Sequence, residues 1–367
     1  MPQMQGDAAH VLYVWDYHHG QATRVVVGGC PPLRGRTMAE RQEYLARHHD
    51  RLRALVCREP RGHRNMLGAF VTEPVTPDGD AGIIFVHPEG YFEACGDSTF
   101  SAAVALLESG VVPRQVTDGR QTLRLDTVAG RIEVRATLRG GRVVSVAMRS
   151  VPSFALGTAT LAADGLGEVT VELGWGGLLY AFVPARAVGV CLTQRAARPQ
   201  EREKVIEVGT RLWEAARQQL ACEIPGVASR RPVDLVTLYE DRNDDEDGGG
   251  AQGWGETRRP GGMGDPREPT AGMRGAWVAN FYGPRTMGRT PSGTGIAARA
   301  AILHETGRLG AGEPYYHESP LGLRFVARVV QAGPGGTVSE VETMSYLMGI
   351  ATLVVRDDDP FPEGFTL

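Results

Sequence analysis

Apolar and polar positions alternate over short runs through much of the chain, and that two-residue period predicts a sheet-rich protein with a few helices. Residues 11–15 (VLYVW) and 23–28 (TRVVVG) read as strands joined by the polar turn DYHHGQ. Over 37–56 (TMAERQEYLARHHDRLRALV) the apolar spacing becomes helical. Thr37 stands as an N-cap with Glu40 three residues on, the pattern of a capping box, so one helix is expected there. His48 and His49 fall on it beside Asp50, on what should be a solvated face. Strand and turn material fills 81–94 (AGIIFVHPEGYFEA), and 95–110 (CGDSTFSAAVALLESG) reads as a helix stopped by Gly110. Sheet-like runs follow at 122–138, 143–154 and 167–185, then a helix near 199–221 and a strand at 276–283 (AWVANFYG). Residues 241–274 are first acidic, then rich in glycine and proline, and carry no apolar period; an exposed insertion is expected.

One pattern occurs twice. CGDSTFSAAVALLESG (95–110) and SGTGIAARAAILHETG (292–307) are both 16 residues long. They share glycine at the second position (Gly96, Gly293), alanine at the ninth (Ala103, Ala300) and leucine at the twelfth (Leu106, Leu303). Glutamate recurs at the fourteenth (Glu108, Glu305) and glycine at the last (Gly110, Gly307). Each follows a strand and a turn. Matching start, stop and length predict two versions of one α/β domain, each with a central helix led by a Cys/Ser-Gly pair.

With 367 residues, 42% of them hydrophobic, the chain can bury a large core, and its length favours two domains. A net charge of −4 offers no electrostatic footprint for nucleic acid or for a membrane surface. No apolar run approaches a transmembrane span, and MPQMQGDAAHVLYVWD has neither the basic nor the apolar region of a secretory signal, so a cytoplasmic protein is expected. Five cysteines (Cys30, Cys57, Cys95, Cys191, Cys222) are scattered without CxxC spacing. They argue against a disulfide framework or a structural metal site and suggest small buried hydrophobes, with Cys95 set apart by its place in the repeat.

The repeated helix start has chemical consequences. A helix N-terminus presents unpaired N–H groups and partial positive charge, which suit a carboxylate. The same field should lower the pKa of a cysteine there. A thiolate beside the α-carbon of a bound carboxylate is a base for α-proton abstraction, and N–H donors can stabilise the enediolate-like charge that develops. No lysine context suggests a pyridoxal cofactor, and no cofactor or metal is expected. Ser292 is open to three readings: a nucleophile, an N-cap, or the second-domain counterpart of Cys95. The surrounding T-P-S-G-T does not match a GxSxG elbow.

Several segments taken in order resemble the proline racemase superfamily, which includes proline racemases, 4-hydroxyproline epimerases and trans-3-hydroxyproline dehydratases. They are TRVVVGGCPPLRGRTMAERQEYL, EPRGHRNMLGAFVTEP (containing His63), IIFVHPEGYFEACG, RRPVDLVTLYEDR, GRTPSGTG and YYHESPLGLRFVARV. The resemblance covers nearly the whole chain apart from 241–274. It implies an α/β fold like diaminopimelate epimerase: two pseudo-symmetric domains, each with sheet wrapped around a central helix, and an active site in the cleft between them. Residues 1–152 with 340–367 would form the domain carrying Cys95, and 153–339 the domain carrying Ser292. By position, Cys95 and Ser292 correspond to the two opposed acid/base residues of family racemases. The backbone at Gly96, Asp97, Ser98, Gly293, Thr294 and Gly295, together with His63, is implied in binding the substrate. The partner implied is a small amino acid, with no cofactor, and dimers are common enough in the family to allow a homodimer.

The departures from the family pattern bear on activity. The family usually reads C-G-H where this chain has Cys95-Gly96-Asp97, and D-R-S-P-C-G-T-G where it has Gly288 through Gly295 with Ser292 in place of cysteine. Its early T-H-T-G-G turn is Tyr17-His18-His19-Gly20-Gln21 here, one residue shorter, and its GGN-type turn is Gly176-Gly177-Leu178. Asp97 keeps a charge able to pair with an ammonium. With a single thiol, one-base chemistry fits better than two-base inversion. The expectation is a lyase that removes the α-proton of a β-hydroxylated, hydroxyproline-like amino acid through Cys95 and expels water. The alternatives are an amino-acid racemase or epimerase with Ser292 at the second position, and a non-catalytic carboxylate-binding homologue.

Overall fold

A computed structural model describes residues 8–192, 199–242, 273–356 and 358–366. The chain divides into two compact units, Met1–Met148 with Met344–Leu367, and Arg149–Thr343.

In the first unit, strand Ala8–His18 pairs antiparallel with both Tyr346–Arg356 and Ala22–Gly28. Ala22–Gly28 runs parallel to Leu67–Thr72, which is antiparallel to Ala81–His87, and that strand runs parallel to Gly119–Thr127. Two antiparallel strands, Gly130–Arg139 and Arg142–Arg149, complete the series. Helices α1 (Met38–His48) and α2 (Asp50–Cys57) fill the first parallel crossover, and α3 (Gly96–Glu108) fills the second.

The second unit repeats this order and sense. Gly167–Trp175 is antiparallel to Phe154–Ala163 and to Leu179–Pro184. Leu179–Pro184 is parallel to Leu235–Arg242, which is antiparallel to Arg274–Gly283, and that strand is parallel to Pro314–Glu318. Arg324–Gly333 and Gly336–Thr343 follow antiparallel. Its crossovers hold α4 (Pro199–Gln219) and α5 (Gly293–Glu305). Among the described residues the main sheet differs in the strand beside the first: it comes from the chain's end in the first unit (Tyr346–Arg356) and opens the second unit (Phe154–Ala163).

Helices α3 and α5 are each 13 residues long and are core helices. Every residue from Ser98 to Leu107 is buried, as is every residue from Gly295 to Leu303, so neither helix keeps a polar face for solvent. Both stop where the repeat predicts. Gly110 (φ 77°) and Gly307 (φ 71°) enter the left-handed region that glycine adopts without a Cβ clash. Helix α5 packs on five strands of its own unit, and α3 on four of its own.

Several local expectations need correction. The first half of the DYHHGQ segment, Asp16 to His18, is strand, because Ala8–His18 continues its ladder through His18; the turn is confined to His19, Gly20 and Gln21. The capping box at Thr37 and Glu40 forms, but 37–56 is two helices. His49 leaves helical geometry (φ −141°, ψ 25°), and Asp50 starts the second helix while binding the Arg53 guanidinium and the Tyr91 hydroxyl. Of the five cysteines, all free, only Cys57 is fully buried. The insertion expected over 241–274 is narrower at its edges: strands Leu235–Arg242 and Arg274–Gly283 pair up to Arg242 opposite Gly275. The rest of it, 243–272, lies outside the described residues. No helix among the described residues is long and apolar enough to cross a membrane.

Candidate active site

Cys95 is the N-cap of α3, in extended conformation (φ −149°, ψ 110°), with its carbonyl accepting from the N–H and the hydroxyl of Thr99. Its thiol makes no capping hydrogen bond, and the residue as a whole is half-buried. The expected depression of its pKa does not occur: the thiol is pushed up to about 11. Burial is the main cause and the Asp97 carboxylate the next, against the hydroxyl and N–H of Ser98 and the N–H of Asp97, which favour thiolate. The favourable N–H groups of the helix start are outweighed, first by burial of the sulfur and then by the acid that the same turn carries.

That acid is held in place. Asp97 Oδ1 lies 2.9 Å from His19 Nε2, and His19 Nδ1 lies 2.8 Å from Ser345 Oγ. Ser345 Oγ is in turn 3.1 Å from Ser101 Oγ, one helical turn beyond Asp97 on α3. His19, Ser101 and Ser345 are buried, while a quarter of the Asp97 side chain remains exposed.

The start of α5 is built from different chemistry. Ser292 is its N-cap, and its Oγ accepts from the Gly295 N–H at 3.2 Å. The same oxygen is 2.8 Å from the hydroxyl of buried Tyr180, which lies 2.7 Å from Thr294 Oγ1. Ser292 has φ 68°, ψ 118°, a left-side backbone geometry that costs a non-glycine residue on the order of 1–3 kcal/mol. Asn280 fixes the approach: its carbonyl accepts the Gly288 N–H at 2.7 Å, and its amide donates to the Thr290 carbonyl at 3.2 Å. On the other flank the Gly176-Gly177 turn presses on the helix, and a Cβ at Gly176 would sit 2.1 Å from the Thr294 carbonyl oxygen. No acidic residue lies in this first turn. Nearby, burial and then the Arg299 charge push buried His317 down to about 3, so this ring is neutral at physiological pH.

The remaining predicted residue, His63, is placed apart in sequence and role. Its Nδ1 accepts the Asn65 N–H at 3.2 Å, within the turn that enters strand Leu67–Thr72, and Gln21 donates to the Asn65 carbonyl. Gly96, Asp97 and Ser98 form the first turn of α3, and Gly293, Thr294 and Gly295 that of α5, as the repeat requires. Sequence reasoning did not find His19, Ser345, Ser101 or Tyr180. His19 lies in the shortened turn, and Tyr180 follows the Gly176-Gly177-Leu178 turn, so both had a positional signal. Ser101 and Ser345 had none.

Two α/β units of one wiring, each with a buried helix whose N-terminus is led by Cys-Gly or Ser-Gly, are accounted for by a single family. The family model described as proline racemase matches residues 14–255 and 263–366, and the chain belongs to that family. Only 256–262 interrupt the match, a shorter gap than the 241–274 expected from the sequence. The chain is 31% identical over 353 residues to proline racemase of Clostridioides difficile, covering 95% of each protein. It is also 31% identical over 363 residues to 4-hydroxyproline 2-epimerase of Streptosporangium roseum, covering 97% of this chain and 98% of the relative. A crystal structure of a hydroxyproline epimerase from Agrobacterium vitis with bound trans-4-hydroxy-L-proline superposes with a TM-score of 0.74 at 24% identity, over 99% of this chain and 97% of that one. The fold is therefore the mixed α/β, diaminopimelate-epimerase-like fold, and the activity belongs to the racemase and epimerase superfamily.

Proposed function

We propose that the protein is a cofactor-independent lyase that eliminates water from a β-hydroxylated, cyclic α-amino acid such as trans-3-hydroxyproline. The observation that carries this reading is the asymmetry of the two helix starts. Cys95 offers an ionisable thiol, whereas the partners of Ser292 Oγ are two hydroxyls and a backbone N–H, none of them a base. Backbone N–H groups of Gly96 and Asp97, at the start of α3, hold the substrate carboxylate in this reading. The Cys95 thiolate takes the α-proton, the electron pair becomes the Cα–Cβ double bond, and the β-hydroxide leaves. Protonation of that hydroxide, balanced by release of the proton from Cys95, gives net loss of water. The enamine then tautomerises to the cyclic imine. An ammonium placed near Asp97 would offset the carboxylate's effect on the thiol, so substrate binding itself favours the thiolate.

A second reading is an epimerase in which Ser292 serves as the second acid/base residue. The Tyr180–Ser292–Thr294 hydroxyl chain supports it, since linked hydroxyls can pass a proton. Proton NMR in deuterated water with trans-3-hydroxy-L-proline, trans-4-hydroxy-L-proline and L-proline separates the two. Loss of the α-proton with formation of the imine from the 3-hydroxy compound is the expected result. Deuterium uptake with inversion and no elimination would replace the lyase by the epimerase. Binding without any exchange would leave a carboxylate-binding protein.

A further inference from the structure

We infer that His19 is a positioning residue that aims Asp97 at the cationic nitrogen of the substrate, its own ring held in turn by Ser345 and, behind it, Ser101. The inference rests on the proposed amino-acid site at the start of α3.

The reasoning begins with hydrogen-bond bookkeeping. A carboxylate only accepts, so His19 Nε2, 2.9 Å from Asp97 Oδ1, must carry hydrogen. In the neutral ring Nδ1 is then an acceptor and takes the Ser345 O–H at 2.8 Å. Ser345 Oγ has given away its hydrogen and accepts from the Ser101 hydroxyl at 3.1 Å. With the ring neutral, one direction runs through the chain: Ser101 to Ser345 to His19 to Asp97. Each of the three donors is buried, so water cannot scramble the order. Phe100, edge-on at 6.2 Å between ring centroids, restricts the imidazole further.

At the end of this chain Asp97 has one oxygen fixed and the other, Oδ2, without a hydrogen-bond partner among the described residues, on a side chain that remains partly exposed. Asp97 is also two residues from Cys95 and close enough to influence its thiol. A carboxylate anchored by one oxygen, on a partly exposed side chain two residues from the base, is suited to a ligand bearing a cation next to its reacting carbon. An α-ammonium or a secondary ring ammonium has that chemistry. The His19–Asp97 pair thereby distinguishes amino acids from carboxylic acids of the same shape.

The test measures dissociation constants of the full chain for L-proline and for cyclopentanecarboxylate, which has a methylene in place of the ring nitrogen. Wild type should prefer L-proline by roughly tenfold or more, the range for hydrogen bonds to charged groups. Asp97→Asn should erase that preference. His19→Ala should cut it by about fivefold while leaving cyclopentanecarboxylate binding unchanged, and His19→Gln, whose Nε2 can donate to the same oxygen, should restore most of it. Ser345→Ala keeps the ring and provides a milder variant if His19→Ala lowers the melting temperature; it should reduce the preference in the same direction. Equal weakening of both ligands by His19→Ala, or an unchanged preference in it and in Ser345→Ala, would overturn the positioning role. A wild type that binds neither ligand would instead overturn the amino-acid site, and one that binds both equally would remove Asp97 as the ammonium partner.

Discussion

Cys95 and Ser292 lead helices of the same length, inserted at the same point of the same strand order, and the two starts share almost nothing chemically. At Cys95 the backbone is relaxed, the side chain leaves the helix cap open, and an acid held by a histidine sits in the first turn. At Ser292 the backbone is strained, the side chain closes the cap, and the neighbours are hydroxyls. A repeated scaffold has kept the N–H groups at each helix start and let the side chains diverge. The scaffold depends on backbone geometry, which many sequences satisfy, whereas acid/base chemistry depends on single atoms.

The sharpest way to break this contrast is to remove the one base. Cys95→Ser should lower α-proton exchange by roughly 10²- to 10⁴-fold, the usual worth of a positioned base, while Ser292→Ala keeps exchange within about tenfold of wild type. Comparable losses in both would mean that the two starts act as a pair. Next in size, Ser292→Cys supplies the missing thiol and should raise stereoinversion about 10²-fold above background, read by chiral chromatography of L-proline or 4-hydroxyproline. No inversion in a folded Ser292→Cys protein would show that more than the thiol separates the two starts.

A smaller effect concerns charge. Because the Cys95 thiol is pushed up to about 11, its base form grows as pH rises, and kcat/KM should climb through the alkaline range toward that value. Asp97→Asn removes a charge that disfavours thiolate, so it should move the titration to lower pH. Iodoacetamide alkylation of Cys95 at pH 8, measured without substrate, should then become several-fold faster; an unchanged rate would leave burial as the only cause. The smallest effect is structural. Ser292→Ala loses the cap and keeps the strain, costing about 1 kcal/mol in thermal or denaturant unfolding. Ser292→Gly loses the cap but relieves the positive φ and should lie within about 0.5 kcal/mol of wild type. Equal destabilisation by the two would mean that the backbone at 292 is not strained.

Much of the architecture was legible because it rests on local, periodic signals. The 16-residue repeat marked both core helices and their glycine stops, and the Thr37 capping box was readable from two residues. The break at His49 was not, because the apolar period continues through it while Asp50 is claimed by Arg53 and Tyr91, the latter far along the chain. The thiol pKa was misjudged for a related reason. Helix position is a sequence property, but desolvation is the sum of everything packed around the sulfur.

The sequence by itself determined the family, the two helix starts and the residue types that lead them, because these follow from spacing along the chain. Only the tertiary structure decided that both units share one strand order, that Ser292 is bound into a hydroxyl chain by Tyr180, and that Asp97 is held by His19 and, through it, by Ser345. Those contacts join residues separated by 78 to 326 positions. No local period encodes them; the closing of the sheets around each helix brings them within hydrogen-bond distance.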